Sequence, residues 1–275
     1  MMRIVNLIEN TPGAEGCLYE HGLSFYIETK NHKLLVDTGA SDAFIHNAKV
    51  LGIDLAKVDT VILSHGHYDH SGGILPFVAL NPNAKIYMQM NAAGAYYHKD
   101  ETVEKYIGID QEIKHLPQVV WVDGDLKIDD ELELFSHVTG RKLWPQGNLE
   151  LKELVNGEFL QDEFSHEQYL VISDGDKKFL VSGCAHNGVL NILERYKELY
   201  EDNPYAMLSG FHMRKKTDYT DEDIAVMEET AKELCSTNTI FYTGHCTGEF
   251  PFEVMKEILG EQLIYVHSGE EIVCV

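Results

Sequence analysis

The chain has 275 residues, with 22 Lys and Arg against 45 Asp and Glu, for a formal net charge of -23. With 44% hydrophobic and 24% charged residues it reads as a soluble globular protein with room for a large core; the acidic balance excludes a broad nucleic-acid or anionic-membrane surface but not a small anionic substrate, because divalent metals make a local positive site. No apolar run is long enough for a membrane span and no leader precedes the first strand, while five scattered cysteines without a C-x-x-C pair fit a reducing cytoplasm.

Residues 3–8, 17–28 and 33–38 read as strands, broken by Thr11-Pro12-Gly13 and Lys30-Asn31-His32. The third ends in Leu35-Val36-Asp37-Thr38-Gly39. Asp37 is there either a turn former or a carboxylate that accepts an N–H from a metal-bound imidazole. A helix with Ser41 as N-cap is expected to run to about Leu51. Val58 to Ser64 then has the length and β-branching of a buried strand.

Directly after that strand comes His65-Gly66-His67-Tyr68-Asp69-His70. Imidazole and carboxylate are the donors that suit zinc, iron and manganese. At the carboxyl end of a strand, where open sheets hold ligands, they read as a metal loop. His65 and His67 can converge on one ion while Asp69 and His70 turn to a second. Residues 74–80 follow as a helix and 85–90 as a strand.

The stretch 91–165 reads as an elaboration of a single domain spanning 1–275, with strands at 118–122 and 131–138. Its loop Thr139 to Gly147 combines Arg141 and Lys142 with Trp144. It reads as an exposed turn with an anchoring indole, or as a clamp for a flat anionic ligand. Arg214 and Lys215 are further candidate substrate contacts. Residues 169–173 and 178–182 form a hairpin about Asp174-Gly175-Asp176. The chain then alternates helix and strand: helix 189–200, strand 206–210, helix from the Thr220 cap to about Cys235, strand 239–243, and a helix after Gly248. Strands near 263–267 and 271–275 close it.

Three strands end in Gly-x-x-His, Gly-Phe-His and Gly-His, giving His186, His212 and His245. One ion is expected on His65, His67 and His186, and a second on Asp69, His70 and His245, each with a position left for water. His212 is a further ligand, a substrate-oxygen donor or an acid. Cys184 and Cys246, two residues before His186 and one after His245, are candidate soft ligands but read better as small buried residues, with Cys184 beside the metals. The remaining histidines, among them His21 and His166, read mostly as surface or loop residues.

The complete H-x-H-x-D-H set at His65, His67, Asp69 and His70, with the Asp37-Thr38-Gly39 strand end, resembles the metallo-β-lactamase superfamily. Ser182-Gly183-Cys184-Ala185-His186, Gly210-Phe211-His212 and Gly244-His245-Cys246-Thr247-Gly248 resemble the branch of dihydropterin–ribofuranosylaminobenzene phosphate synthase. The likeness covers essentially the whole chain. It implies a four-layer αββα sandwich of α/β class with a dinuclear site at one edge. Many superfamily members carry a bridging Asp near the strand that here ends in Gly183-Cys184, and this chain has Cys184 there.

The expected function is metal-dependent hydrolysis of a small phosphorylated or ester substrate, with two divalent ions (zinc, manganese or iron), Asp69 orienting the nucleophile and His212 as acid. The alternatives are a transferase that binds a diphosphate leaving group, as the branch resemblance implies, and a non-catalytic ligand-binding protein.

Overall fold

Apolar residues fall on both faces of most strands, so both faces need cover. In Lys33–Val36, Leu34 and Val36 face one way and Leu35 the other; in Tyr169–Asp174, Leu170 and Ile172 oppose Tyr169 and Val171. The computed structural model, which describes residues 2–272, meets this need with two seven-stranded sheets packed face to face and helices outside each.

The first sheet runs Glu271–Ile272, Arg3–Ile8, Ser24–Glu28, Lys33–Val36, Thr60–Ile62, Lys85–Gln89, Val119–Val122. The second runs Leu263–Tyr265, Ile240–Thr243, Ala206–Leu208, Lys177–Val181, Tyr169–Asp174, Leu132–Phe135, Leu126–Lys127. Their facing sides make the central core, for example Phe25, Leu34 and Ile62 with Leu170, Val181 and Leu208. Ala43–Val50 and Ile74–Leu80 cover the first sheet. Val189–Tyr200, Asp221–Cys235 and Glu249–Leu259 cover the second. The architecture is the αββα sandwich of the sequence reading.

Each sheet contains a parallel run: Lys33–Val36 through Val119–Val122, and Lys177–Val181 through Leu263–Tyr265. Parallel strands place their carboxyl ends together, so the loops after Val36, Ile62, Val181, Leu208 and Thr243 gather at one edge.

The expected strand over 17–28 is shorter, Ser24–Glu28; Leu18 and Tyr19 are exposed and residues 9–23 form a loop over the site edge. Asp42, not Ser41, occupies the N-cap of the first helix, while the Ser41 hydroxyl donates to Glu20 at 2.6 Å. The Thr220 cap stands as a capping box with Asp223. Residues 91–165 are woven into both main sheets through Val119–Val122 and Leu132–Phe135, and also build a third sheet, Glu158–Gln161, Leu151–Val155, Tyr96–Lys99 and Glu104–Tyr106. That third sheet is tied to the histidine loop by a bridge between His67 and Gly108 and by the Tyr68 N–H donating to the Ile107 carbonyl at 2.8 Å. Of the expected closing strand 271–275, Glu271–Ile272 is present and residues 273–275 lie outside the described chain. Among the described residues no helix is long and apolar enough to cross a membrane.

Candidate metal centre

After Ile62 the chain turns into the short helix Tyr68–Ser71, with His67 at its N-cap, and this turn aims His65 and His67 inward. Close approach demands glycine at two points. A Cβ on Gly66 would lie 2.3 Å from the Ala92 carbonyl oxygen, and one on Gly183 would lie 2.2 Å from Ser64 Oγ. In the loops of this edge Asp37 (φ 62), Ala185 (φ 54), His212 (φ 50) and His245 (φ 51) take left-handed backbone angles. Such strain gathers where a fold fixes side chains for function.

The donor atoms of His65, His67 and His186 lie within 4.8 Å of one another, and all three rings are buried. Each Nε2 is buried without a hydrogen-bond partner, a cost a fold avoids unless something else fills the position. The opposite nitrogens of His65 and His186 are anchored. His65 Nδ1 lies 2.9 Å from Ser64 Oγ, whose own O–H is given to Asp37 at 2.7 Å. His186 Nδ1 lies 2.9 Å from Asn148 Oδ1. Nδ1–H donation leaves Nε2 as the free lone pair. Burial first, then neighbouring imidazoles, hold His65 and His186 well below the ordinary histidine value, and burial with His166 lowers His67 to about 3. The three rings are therefore neutral, the ligand form.

Asp69, His70 and His245 form a second group. His70 Nε2 is 3.2 Å from His245 Nε2, and Asp69 Oδ2 is 3.4 Å from His245 Nε2 and 3.8 Å from His70 Nε2. Burial would lower His70, but the Asp37 and Asp69 carboxylates push it up to about 9. Burial likewise opposes ionisation of Asp69, yet His70 and His245 hold it well below the ordinary carboxylate value. Asp37 is buried and accepts from His70 Nδ1 at 2.6 Å and from the Ser64 N–H at 2.7 Å, so it orients rings of both groups. Cys184 Sγ is 3.2 Å from His70 Nε2, and burial pushes its thiol well up. The unpartnered Nε2 atoms, the neutral rings and the carboxylate beside them fit divalent metal ions.

Residues absent from the sequence reading hold these donors. Asn148 donates to the His186 carbonyl at 2.7 Å, and Glu167 accepts the His186 N–H at 2.6 Å. Asn10 lies 2.8 Å from His245 Nδ1, and Glu9 accepts the His245 N–H at 3.0 Å. His166, read as a surface or loop residue, lies in a loop but is buried; its Nδ1 accepts the Gly66 N–H at 3.0 Å and its Nε2 meets Asp162 at 3.1 Å. His21 lies at the rim, stacked on His245 and 3.3 Å from Asp69.

Over the donors opens a cavity of about 230 Å³, with His67, Asp69, His186 and His245 among its lining and Tyr68, His98, Lys105 and Lys216 on its walls. Lys105 Nζ sits 3.3 Å from the Tyr68 hydroxyl and 4.6 Å from its ring centroid. Neither Lys105 nor Lys216 has a carboxylate partner among the described residues, whereas Lys215 pairs with Asp223 at 2.6 Å. Arg141, Lys142 and Trp144 do not line this cavity. Arg141 pairs with Glu163 at 2.7 Å beside Trp144, and Lys142 with Glu233 at 2.9 Å. Arg214 and Lys215 line an adjoining cavity that shares His212 with the first. His212 Nδ1 is buried and unpartnered, and its ring is 4.1 Å from that of His186.

The fold and this strand-edge cluster define a metallo-β-lactamase-type protein, and residues 20–237 match the model of the metallo-beta-lactamase superfamily: the chain belongs to that family. Within it, the chain is 27% identical to an uncharacterized protein of Methanocaldococcus jannaschii, over 96% of this chain and 97% of the relative. It is 25% identical to that organism's 7,8-dihydropterin-6-methyl-4-(beta-D-ribofuranosyl)-aminobenzene-5'-phosphate synthase, over 98% and 95%. A crystal structure of a metal-dependent hydrolase of the beta-lactamase superfamily superposes with a TM-score of 0.83 at 28% identity, covering 100% of this chain and 99% of the other.

Proposed function

We propose that this chain is a dinuclear metal-dependent hydrolase of a small phosphorylated or ester substrate. The observation that carries this reading is the pair of donor groups under one cavity, the first with unpartnered buried Nε2 atoms and the second with an ionised carboxylate. His65, His67 and His186 would hold one ion and Asp69, His70 and His245 the other. When bound, the ions supply Lewis acidity and a lowered pKa for water. Zinc suits the mixed nitrogen, oxygen and sulfur surroundings best.

The chain's own groups do the rest. Asp69, whose Oδ2 lies at the cavity beside His70 and His245, would orient the attacking water. His212, which lines both cavities and whose ring is 4.1 Å from that of His186, hands a proton to the leaving oxygen. Lys105 and Lys216 bind the anionic part of the substrate at the cavity wall.

Two cavities meeting at His212 favour a second reading, a transferase that condenses a dihydropterin diphosphate with a ribofuranosylaminobenzene phosphate. The relative named as a synthase supports it. Incubation of zinc-loaded protein with both reactants, and separately with phosphoesters and lactones, followed by mass spectrometry, decides between them. Hydrolysed product that falls ~10²- to 10⁴-fold in Asp69→Asn is the expected result. A condensed pterin product would establish the transferase instead, and full turnover in Asp69→Asn would overturn the role of Asp69.

A further inference from the structure

Cys184 occupies an unusual position for a buried cysteine. Its Sγ falls within 4.8 Å of donor atoms of His65 and His70, of His186 and His212, and of His245 and Cys246. His65 and His186 belong to the first donor group and His70 and His245 to the second, so one sulfur stands beside both. The loop is built to bring it there: Gly183 has no Cβ to strike Ser64 Oγ and His65 Nδ1, and Ala185 turns through a left-handed angle. Cys246 Sγ falls within 4.8 Å of donor atoms of Cys184 and His245, beside the second group. Its sulfur accepts the His212 N–H at 3.3 Å and lies where a Cβ on Gly210 would be 2.3 Å away.

We propose that the Cys184 thiolate is a ligand shared by the two metal positions, in place of a carboxylate bridge. This rests on the dinuclear reading above. On binding, the Sγ–H bond breaks, the proton leaves to water, and the electron pair stays on sulfur for the ions. A soft sulfur donor biases the centre toward zinc, cobalt and cadmium and away from magnesium and manganese.

The test is titration of the metal-free protein with cobalt(II), followed by absorption. The wild type is expected to show a near-ultraviolet sulfur-to-cobalt charge-transfer band together with visible d–d bands. Cys184→Ser should lose the near-ultraviolet band and hold its weaker cobalt ~10- to 100-fold less tightly. Cys246→Ser should keep the band. Cys184→Asp should keep cobalt without the band, and carries the test if circular dichroism shows Cys184→Ser unfolded. A band that survives in Cys184→Ser, or that vanishes in Cys246→Ser alone, overturns the assignment. Cobalt bound by the wild type with d–d bands only would also overturn it while leaving the dinuclear reading intact. A wild type that binds no cobalt sinks both.

Discussion

The loops carrying His186 and His245 are held by the same device and given opposite electrostatics. In each, a buried glutamate accepts the histidine's backbone N–H, and an asparagine meets both its carbonyl and its Nδ1: Glu167 and Asn148 for His186, Glu9 and Asn10 for His245. The Nε2 of His186 then faces neutral imidazoles, whereas that of His245 faces the Asp69 carboxylate and His70. Orientation and charge are thus set by separate residues. One group is a neutral nitrogen trio, the other carries a carboxylate held ionised.

The difference between the two groups is sharpest at Asp69, where Asn keeps the shape and removes the charge; turnover should fall ~10²- to 10⁴-fold while the His65–His67–His186 position keeps its ion. Asp37→Ala comes next, because it leaves His70 Nδ1 and the Ser64 N–H without their acceptor. A loss of about 3 kcal/mol in denaturant unfolding is expected. Asn148→Ala and Asn10→Ala should each weaken one ion ~10- to 100-fold while sparing the other, measured by competition with a chromophoric chelator. Equal weakening of both ions by either variant would mean that the two loops are not independent. Lys105→Ala and Lys216→Ala leave both groups untouched and should raise KM ~10-fold with kcat nearly constant.

The smallest effect lies at the other end of the strands, where His32 bridges Asp59 at 2.8 Å and Asp129 at 2.6 Å. Burial lowers its pKa, but the two carboxylates prevail and raise it above the ordinary histidine value. A raised folded pKa gives stability that is full below about pH 6.5 and is lost as pH rises through the folded value. His32→Gln should flatten that slope in unfolding experiments and cost ~0.5 kcal/mol near pH 6, without touching metal content.

The floor of the site was legible because its signal is local. His65, His67, Asp69 and His70 lie within one loop, and His186, His212 and His245 each follow a strand end marked by glycine. The devices that hold them were not. Asn10 is 235 residues from His245 and Asn148 is 38 from His186, and an asparagine in a loop carries no sign of such a partner. His166 has no glycine strand end beside it, so its burial under the loop of His65 is visible only once the sheets are closed. Lys105 sits on an exposed hairpin strand, Glu104–Tyr106, with no burial pattern to mark it. Arg141 and Trp144 stood out by composition, but the fold spends the guanidinium on Glu163. The overlong strand over 17–28 has the same origin: Leu18 and Tyr19 are apolar and exposed.

Two ions at the strand edge, one on His65, His67 and His186 and the other on Asp69, His70 and His245, are what the proposed function requires. Elemental analysis of zinc-loaded wild type, His186→Ala and His245→Ala after exhaustive desalting tests that requirement most directly. About two ions per chain are expected in the wild type and about one in each variant, with competition assays showing that different ions are lost. One ion per chain in the wild type, or loss of the same ion in both variants, would contradict that requirement.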